Sequence, residues 1–131
     1  MSGDIPERLP GCRELAPPCP QNRDPGFGNV SIPWNEDCLY LNVWAPSGKT
    51  GLPVLRWLYG GGWQDGSAAQ PLCNGRNLTA SQDVVLVVVG WRDNVFGFLG
   101  LQALAAEEEK LSGQRTSGFY GQQDQRAAMA W

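Results

Sequence analysis

Histidine is absent from all 131 residues. A serine or cysteine nucleophile needs a neighbouring base, so no Ser-His-acid or Cys-His mechanism is complete within them. A basic excess is missing as well. The formal net charge is −3, whereas nucleic-acid binding rests on a basic footprint, so no nucleic-acid partner is expected. No apolar run reaches the roughly 18 residues of a membrane-crossing helix, so no membrane span is expected. Met1 to Glu7 has neither a basic start nor an apolar stretch, so no signal peptide is expected there. The four cysteines lack C-x-x-C spacing, and without His a zinc site would need all four as thiolates. No metal and no cofactor are expected. Disulfides are favoured instead, with three pairings open if all four cysteines are oxidised.

What is present fits a globular fold of one domain at most. Hydrophobic residues make up 42% of the chain, enough for a core, and charged residues only 18%, which argues against disorder. The stretch that organises the rest is Leu55-Arg56-Trp57-Leu58-Tyr59-Gly60-Gly61-Gly62-Trp63. An apolar run of β-formers stops abruptly in three glycines and a large aromatic. Glycine lacks Cβ, so consecutive glycines let backbone N–H groups approach a ligand closely. Two N–H groups aimed at one point make an oxyanion hole for an acyl-transfer intermediate. The competing reading is a plain surface turn, and the flanking segments decide between them.

Residues 1–36 are rich in Pro, Gly and charge and read mostly as loop, with Pro17-Pro18-Cys19-Pro20 extended and Asp24-Pro25-Gly26 a turn. Leu39 to Trp44 reads as a strand, ended by Ala45-Pro46 and a turn over Ser47 to Gly51. Val54 to Tyr59 reads as a second strand, and the two are expected to form an antiparallel hairpin. Arg56 within it needs a partner or an exposed face. A short helix is expected between Leu72 and Ser81. Val84 to Val89 is six consecutive apolar residues without alternation, the pattern of a strand covered on both faces. Val95 to Leu99 reads as a compact apolar turn, Leu101 to Lys110 and Gln122 to Trp131 as helices. The order of elements indicates an α/β fold. Two sequons, at Asn29 and Asn77, are candidate glycosylation sites and lean the localisation toward the secretory pathway. The chain stops at Trp131 in mid-helix without a cap, as a fragment would.

With these segments in order, the chain resembles the amino-terminal part of a type-B carboxylesterase, the cholinesterase and carboxylesterase branch of the α/β-hydrolase fold. Glu36 to Pro46 (Glu-Asp-Cys-Leu-Tyr-Leu-Asn-Val-Trp-Ala-Pro) is similar to that family's cysteine signature almost letter for letter. Pro17 to Gln21 resembles its upstream cysteine segment, and the strand with Gly60-Gly61-Gly62-Trp63 its oxyanion strand and loop. Gly90-Trp91-Arg92 followed by Phe96-Gly97-Phe98-Leu99, and then Gly118 to Trp131, resemble the segments that lead toward its nucleophile. The similarity runs from about Gly11 onward. Gly11 to Glu14 resembles the interior of a family segment, so residues 1–131 are expected to be a partial domain cut at both ends.

The resemblance implies a hairpin leading into a mostly parallel sheet with flanking helices, and hydrolysis of a small-molecule ester by a serine nucleophile. It implies a Cys19–Cys38 disulfide, with Cys12 and Cys73 off the family pattern. Gly61 and Gly62 are the implied oxyanion donors through their N–H groups. Trp63, beside them, either lines the substrate pocket or packs into the core. Arg92 and Asp124 resemble a family ion pair; the alternative is two solvated charges. The G-x-S-x-G elbow, the acid and the His lie outside the 131 residues, and Ser67 reads as a loop residue. The chain by itself is therefore expected to be inactive and to fold poorly alone. Arg56, Gly90-Trp91 and Asp93-Asn94 depart from the family pattern, although Asn94 suits a left-handed conformation. Those departures keep a second reading open, a non-catalytic adhesion relative or a degenerate copy.

Overall fold

A computed structural model of the chain describes residues 14–21 and 32–131. The expectations for Gly11 to Arg13, Asp24 to Gly26 and the Asn29 sequon lie outside those residues, as does Cys12. Three strands form one sheet: β1 (Leu41–Trp44), β2 (Val54–Trp57) and β3 (Val85–Val89). Leu86 to Val89 are buried, and β3 takes the middle of the sheet, in the order β1-β3-β2. A strand apolar on both faces gains most where it has a neighbour on each edge and cover on each side. β1 runs antiparallel to β3, with Leu41 opposite Val89 and Trp44 opposite Leu86. β2 runs parallel to β3, with Val54 beside Val85 and Trp57 beside Val88.

This order corrects the expected hairpin. β1 and β2 do run in opposite directions, but β3 is inserted between them, so they share no hydrogen bonds. The Ser47 to Gly51 turn reverses the chain without pairing the strands on either side of it. The sheet is accordingly mixed, with one antiparallel and one parallel pairing. The lone charge on β2 is accommodated at the surface: all four β2 residues are exposed, and the Arg56 guanidinium donates to the Met129 carbonyl.

Among the described residues, four helices flank the sheet: α1 (Arg76–Ser81), α2 (Asn94–Phe98), α3 (Gln102–Ser112) and α4 (Tyr120–Ala130). A 3₁₀ turn at Pro71–Cys73 precedes α1. The segment Val95 to Leu99, expected as a turn, winds instead into the single helical turn of α2. Gly97 of α2 and Gly121 of α4 face each other across the Arg92 carbonyl. A Cβ on either would stand 2.1 or 2.3 Å from that oxygen, so the approach tolerates no side chain. The core lies under this packing and joins Tyr59, Ala68, Cys73, Leu86, Val88, Val89 and Trp91, with Phe98 and Ala128 against them.

The amino-terminal segment has no regular structure among its described residues and is held by specific bonds. Cys19 and Cys38, both buried, are joined in a disulfide. Asn42, buried on β1, accepts from the Ala16 N–H at 3.2 Å and donates to the Ala68 carbonyl at 3.0 Å. One strand residue thereby fixes both the leading segment and the loop that follows the three glycines.

Candidate active site

The end of β2 runs through Tyr59 into the loop Gly60-Gly61-Gly62-Trp63. Gly61 has φ 152° and Gly62 φ 62°, conformations that side chains resist. A Cβ on Gly61 would lie 1.7 Å from the Asp65 carbonyl oxygen, so this position admits only glycine without rebuilding the loop. The Gly61 carbonyl closes the turn by accepting from the N–H groups of Gln64 (3.1 Å) and Asp65 (3.3 Å). Among the described residues, the Gly61 and Gly62 N–H groups donate to no acceptor.

Neighbouring segments hold the loop from three sides. Gln21 bridges it at both ends of one residue, Nε2 to the Gly66 carbonyl and the Gly66 N–H to Oε1, each at 2.7 Å. Asn94 has φ 50°, the left-handed conformation its sequence suits. Its N–H donates to the Trp63 carbonyl at 2.8 Å, while Nδ2 reaches the carbonyls of Pro20 (3.1 Å) and Gln64 (3.3 Å). The third hold is aromatic. Trp63, itself at φ 65°, sets its ring edge-on to Trp91 and to Phe98, each at 5.1 Å between centroids. Trp91 in turn stacks on Tyr59 at 5.1 Å. Trp63 remains half exposed and lines an open groove of about 440 Å³ with Gly62, Asn94, Phe98 and Leu99.

The turn after β3 carries the charged groups. Arg92 clasps Asp124 of α4 with Nη2 to Oδ1 at 2.7 Å and Nε to Oδ2 at 2.8 Å, and its own N–H adds a third bond to Oδ2 at 3.0 Å. Asp93 is fully buried, and neither carboxylate oxygen has a hydrogen-bond partner. Burial, with the Asp65 charge adding to it, pushes its pKa up to about 7. Tyr59 donates its hydroxyl proton to the Trp91 carbonyl at 2.8 Å, and burial and the Asp93 charge raise its pKa.

Other polar candidates are buried or engaged in local bonds. Ser67 is buried, and its Oγ accepts from the Ala69 N–H at 3.0 Å, a local loop bond. Cys73 is a free, buried thiol whose pKa burial raises, the opposite of an activated nucleophile. Asn77 is exposed on α1, while the Thr79 of its sequon is buried and donates to the Gly75 carbonyl. No group of His, Cys, Asp and Glu among the described residues is arranged to hold a metal, and none of their helices is long and apolar enough to cross a membrane.

A mixed sheet whose parallel strand ends in a glycine loop, with helices packed beside it, is a partial α/β-hydrolase architecture. The carboxylesterase family model matches residues 8–131, and the chain belongs to that family. The chain is 43% identical over 121 residues to the fumonisin B1 esterase of Sphingopyxis macrogoltabida, covering 91% of this chain and 22% of that protein. It is 41% identical over 125 residues to the acetylcholinesterase of Bungarus fasciatus, covering 88% of this chain and 19% of that enzyme. For the acetylcholinesterase of Electrophorus electricus the identity is 39% over 115 residues, covering 82% of this chain and 17% of that enzyme. The chain thus spans about a fifth of the length of these relatives.

Proposed function

We propose that this chain forms the oxyanion-hole segment of a carboxylic-ester hydrolase acting on a small-molecule ester. The observation that carries the reading is the pair of amides at Gly61 and Gly62, held in left-handed backbone and donating to nothing among the described residues. In ester hydrolysis a serine Oγ attacks the carbonyl carbon, and the carbonyl oxygen takes up negative charge. The ester then breaks to an acyl-enzyme, and water repeats the attack. Gly61 and Gly62 donate to that oxygen in both steps. Preorganised donors of this kind cost nothing to align as charge develops. Trp63, anchored edge-on and half exposed beside the donors, walls the groove where the ester sits.

The serine, its acid and its histidine are not among these 131 residues, and the buried Cys73 and Ser67 do not replace them. The chain alone is accordingly inactive. The non-catalytic alternative draws no support from the relatives, which are named as an esterase and as acetylcholinesterases. The test is a graft in which this chain replaces the matching residues of the Sphingopyxis esterase. Saturable turnover of an aryl acetate by the graft, and none by the chain alone, is the expected result. A folded graft without turnover would overturn the proposal.

A further inference from the structure

Two carboxamide side chains grip the glycine loop from outside, and each has all of its polar functions engaged. An Asn or Gln amide offers two N–H donors and one acceptor oxygen. Asn94 Oδ1 accepts from the Phe96 N–H at 3.2 Å, which turns the amide so that Nδ2 faces the loop. Nδ2 then donates to the Pro20 carbonyl at 3.1 Å and to the Gln64 carbonyl at 3.3 Å. Gln21 is engaged in the same way. Its Nε2 donates to the carbonyls of Gly66 (2.7 Å) and Cys19 (3.1 Å), and its Oε1 accepts from the Gly66 N–H at 2.7 Å. Turning either amide over would set its oxygen against two carbonyls and its NH₂ against an N–H, so the partners fix both orientations.

These bonds fall just downstream of the two glycine amides. Trp63 follows Gly62 and gives its carbonyl to the Asn94 N–H at 2.8 Å, Gln64 gives its carbonyl to Asn94 Nδ2, and Gly66 is held by Gln21 at both its N–H and its carbonyl. The supports are firm: Asn94 opens α2 shortly after the central strand, and Pro20 and Gln21 directly follow Cys19, which is bridged to Cys38. Gly61 and Gly62 do not supply that firmness, because a residue without Cβ has the freest backbone of any. Donors to an oxyanion act best when aligned before charge develops, so their aim has to be set from outside the glycines. The residue type at position 94 agrees. Its φ of 50° suits glycine with less strain, yet the position carries Asn, whose side chain makes three bonds that glycine could not.

We propose that Asn94 is a positioning residue for the Gly61 and Gly62 amides, with Gln21 as its counterpart at the far end of the loop. The Asn94 side chain joins Pro20 of the disulfide-bridged segment to Gln64 of the loop, and so ties three separate stretches of chain at one point. Without it the loop samples geometries in which the two N–H groups miss the oxygen that takes up charge, while the ester still binds. The loss therefore falls on kcat rather than on KM. This catalytic consequence rests on the proposed function above, whereas the hold of Asn94 on the loop does not.

The test uses the esterase graft with Asn94→Gly, which keeps the backbone conformation and the N–H bond to the Trp63 carbonyl and removes the side-chain bonds alone. Gln21→Met, of similar length and without hydrogen-bonding groups, is its companion. Each is expected to lower kcat by about 10- to 100-fold with KM within about a factor of two. A clamp that only stabilises the fold would lower the melting temperature and leave kcat of the folded graft unchanged, and that result overturns the proposal. So does a rise in KM at constant kcat. Amide exchange in the same graft gives a readout without turnover. Asn94→Gly is expected to speed exchange at Gln64 and Asp65, whose N–H groups close the turn on the Gly61 carbonyl, and to leave Val87 and Val88 of the central strand unchanged. Unchanged rates at Gln64 and Asp65 overturn the proposal. A folded graft with no turnover before any substitution sinks the oxyanion reading and the catalytic half of this proposal with it, and the exchange comparison still decides whether Asn94 holds the loop.

Discussion

Arg92 and Asp124 meet in a two-pronged ion pair, 2.7 and 2.8 Å, that ties the turn after the central strand to the last helix. The Asp124 side chain is 6% exposed and the Arg92 side chain 35%, so the carboxylate is the committed partner. Asp124→Asn removes the charge, while the Arg92 end can recover water. The expected cost is about 2 kcal/mol, between an exposed pair and a fully buried one. The exposed Lys49–Asp83 pair, 51% and 65% exposed, serves as the control. Lys49→Ala is expected to change stability by less than about 0.5 kcal/mol. Urea denaturation of both variants makes the comparison, and equal effects would contradict it.

The Cys19–Cys38 disulfide closes a loop of sequence separation 19. Cross-linking a loop of this size stabilises by about 3 kcal/mol through the unfolded chain. Cys38→Ser is expected to lower stability by that order. It is also expected to release Gln21 from Gly66, read as faster amide exchange at Gly66. A variant as stable as the wild type under oxidising conditions would show that the bond constrains nothing.

The β2 strand carries a different liability. Val54, Leu55 and Trp57 are 57%, 44% and 44% exposed, and among the described residues the strand lies at the edge of the sheet. Apolar edges of this kind pair with other chains. Sedimentation of the isolated chain is expected to show concentration-dependent association. Leu55→Lys, which places a charge on that strand, is expected to reduce it. A monomer with a cooperative thermal transition across the concentration range would contradict the expectation.

Asp93 should also write itself into stability against pH. Its folded pKa of about 7 lies above the ordinary carboxyl value of 3.8, so the native state binds the proton more tightly than the unfolded chain. Its contribution is therefore fully present below the unfolded pKa and is lost as pH rises through the folded one. The loss is on the order of 4 kcal/mol across that window. Thermal melts of wild type minus Asp93→Asn isolate this term from the other carboxylates, and the difference should decline from about pH 4 to about pH 7 and then level. A difference that rises with pH would contradict the assignment.

Much of this was legible in the residues, and the exceptions share a cause. The central strand declared itself because six apolar residues without alternation need cover on both faces, and that requirement is local. The left-handed Asn94 was legible for the same reason, since its side chain tolerates the conformation. Strand order was not legible: a turn between β1 and β2 suggests a hairpin, but the partner each strand takes depends on β3, some thirty residues later. Trp63 was visible as a neighbour of the loop, while its positive φ and its two ring contacts arise only when β3 delivers Trp91. Gln21 was read only as part of a cysteine segment. Its signal, a polar side chain two residues after a bridged cysteine, is too common to single out. Asp93 stood out only as a departure from the family pattern. What it faces required the fold.

The central claim is that the Gly61 and Gly62 amides stabilise the oxyanion of an ester hydrolase. The direct measurement is kcat and KM of the esterase graft with and without Gly61→Ala, with folding checked by near-UV circular dichroism. The added Cβ meets the Asp65 carbonyl and must re-aim the Gly61 N–H. The account predicts a fall in kcat of about 10²- to 10³-fold, with KM within about a factor of two. A folded Gly61→Ala graft that turns over at the unsubstituted rate would contradict it.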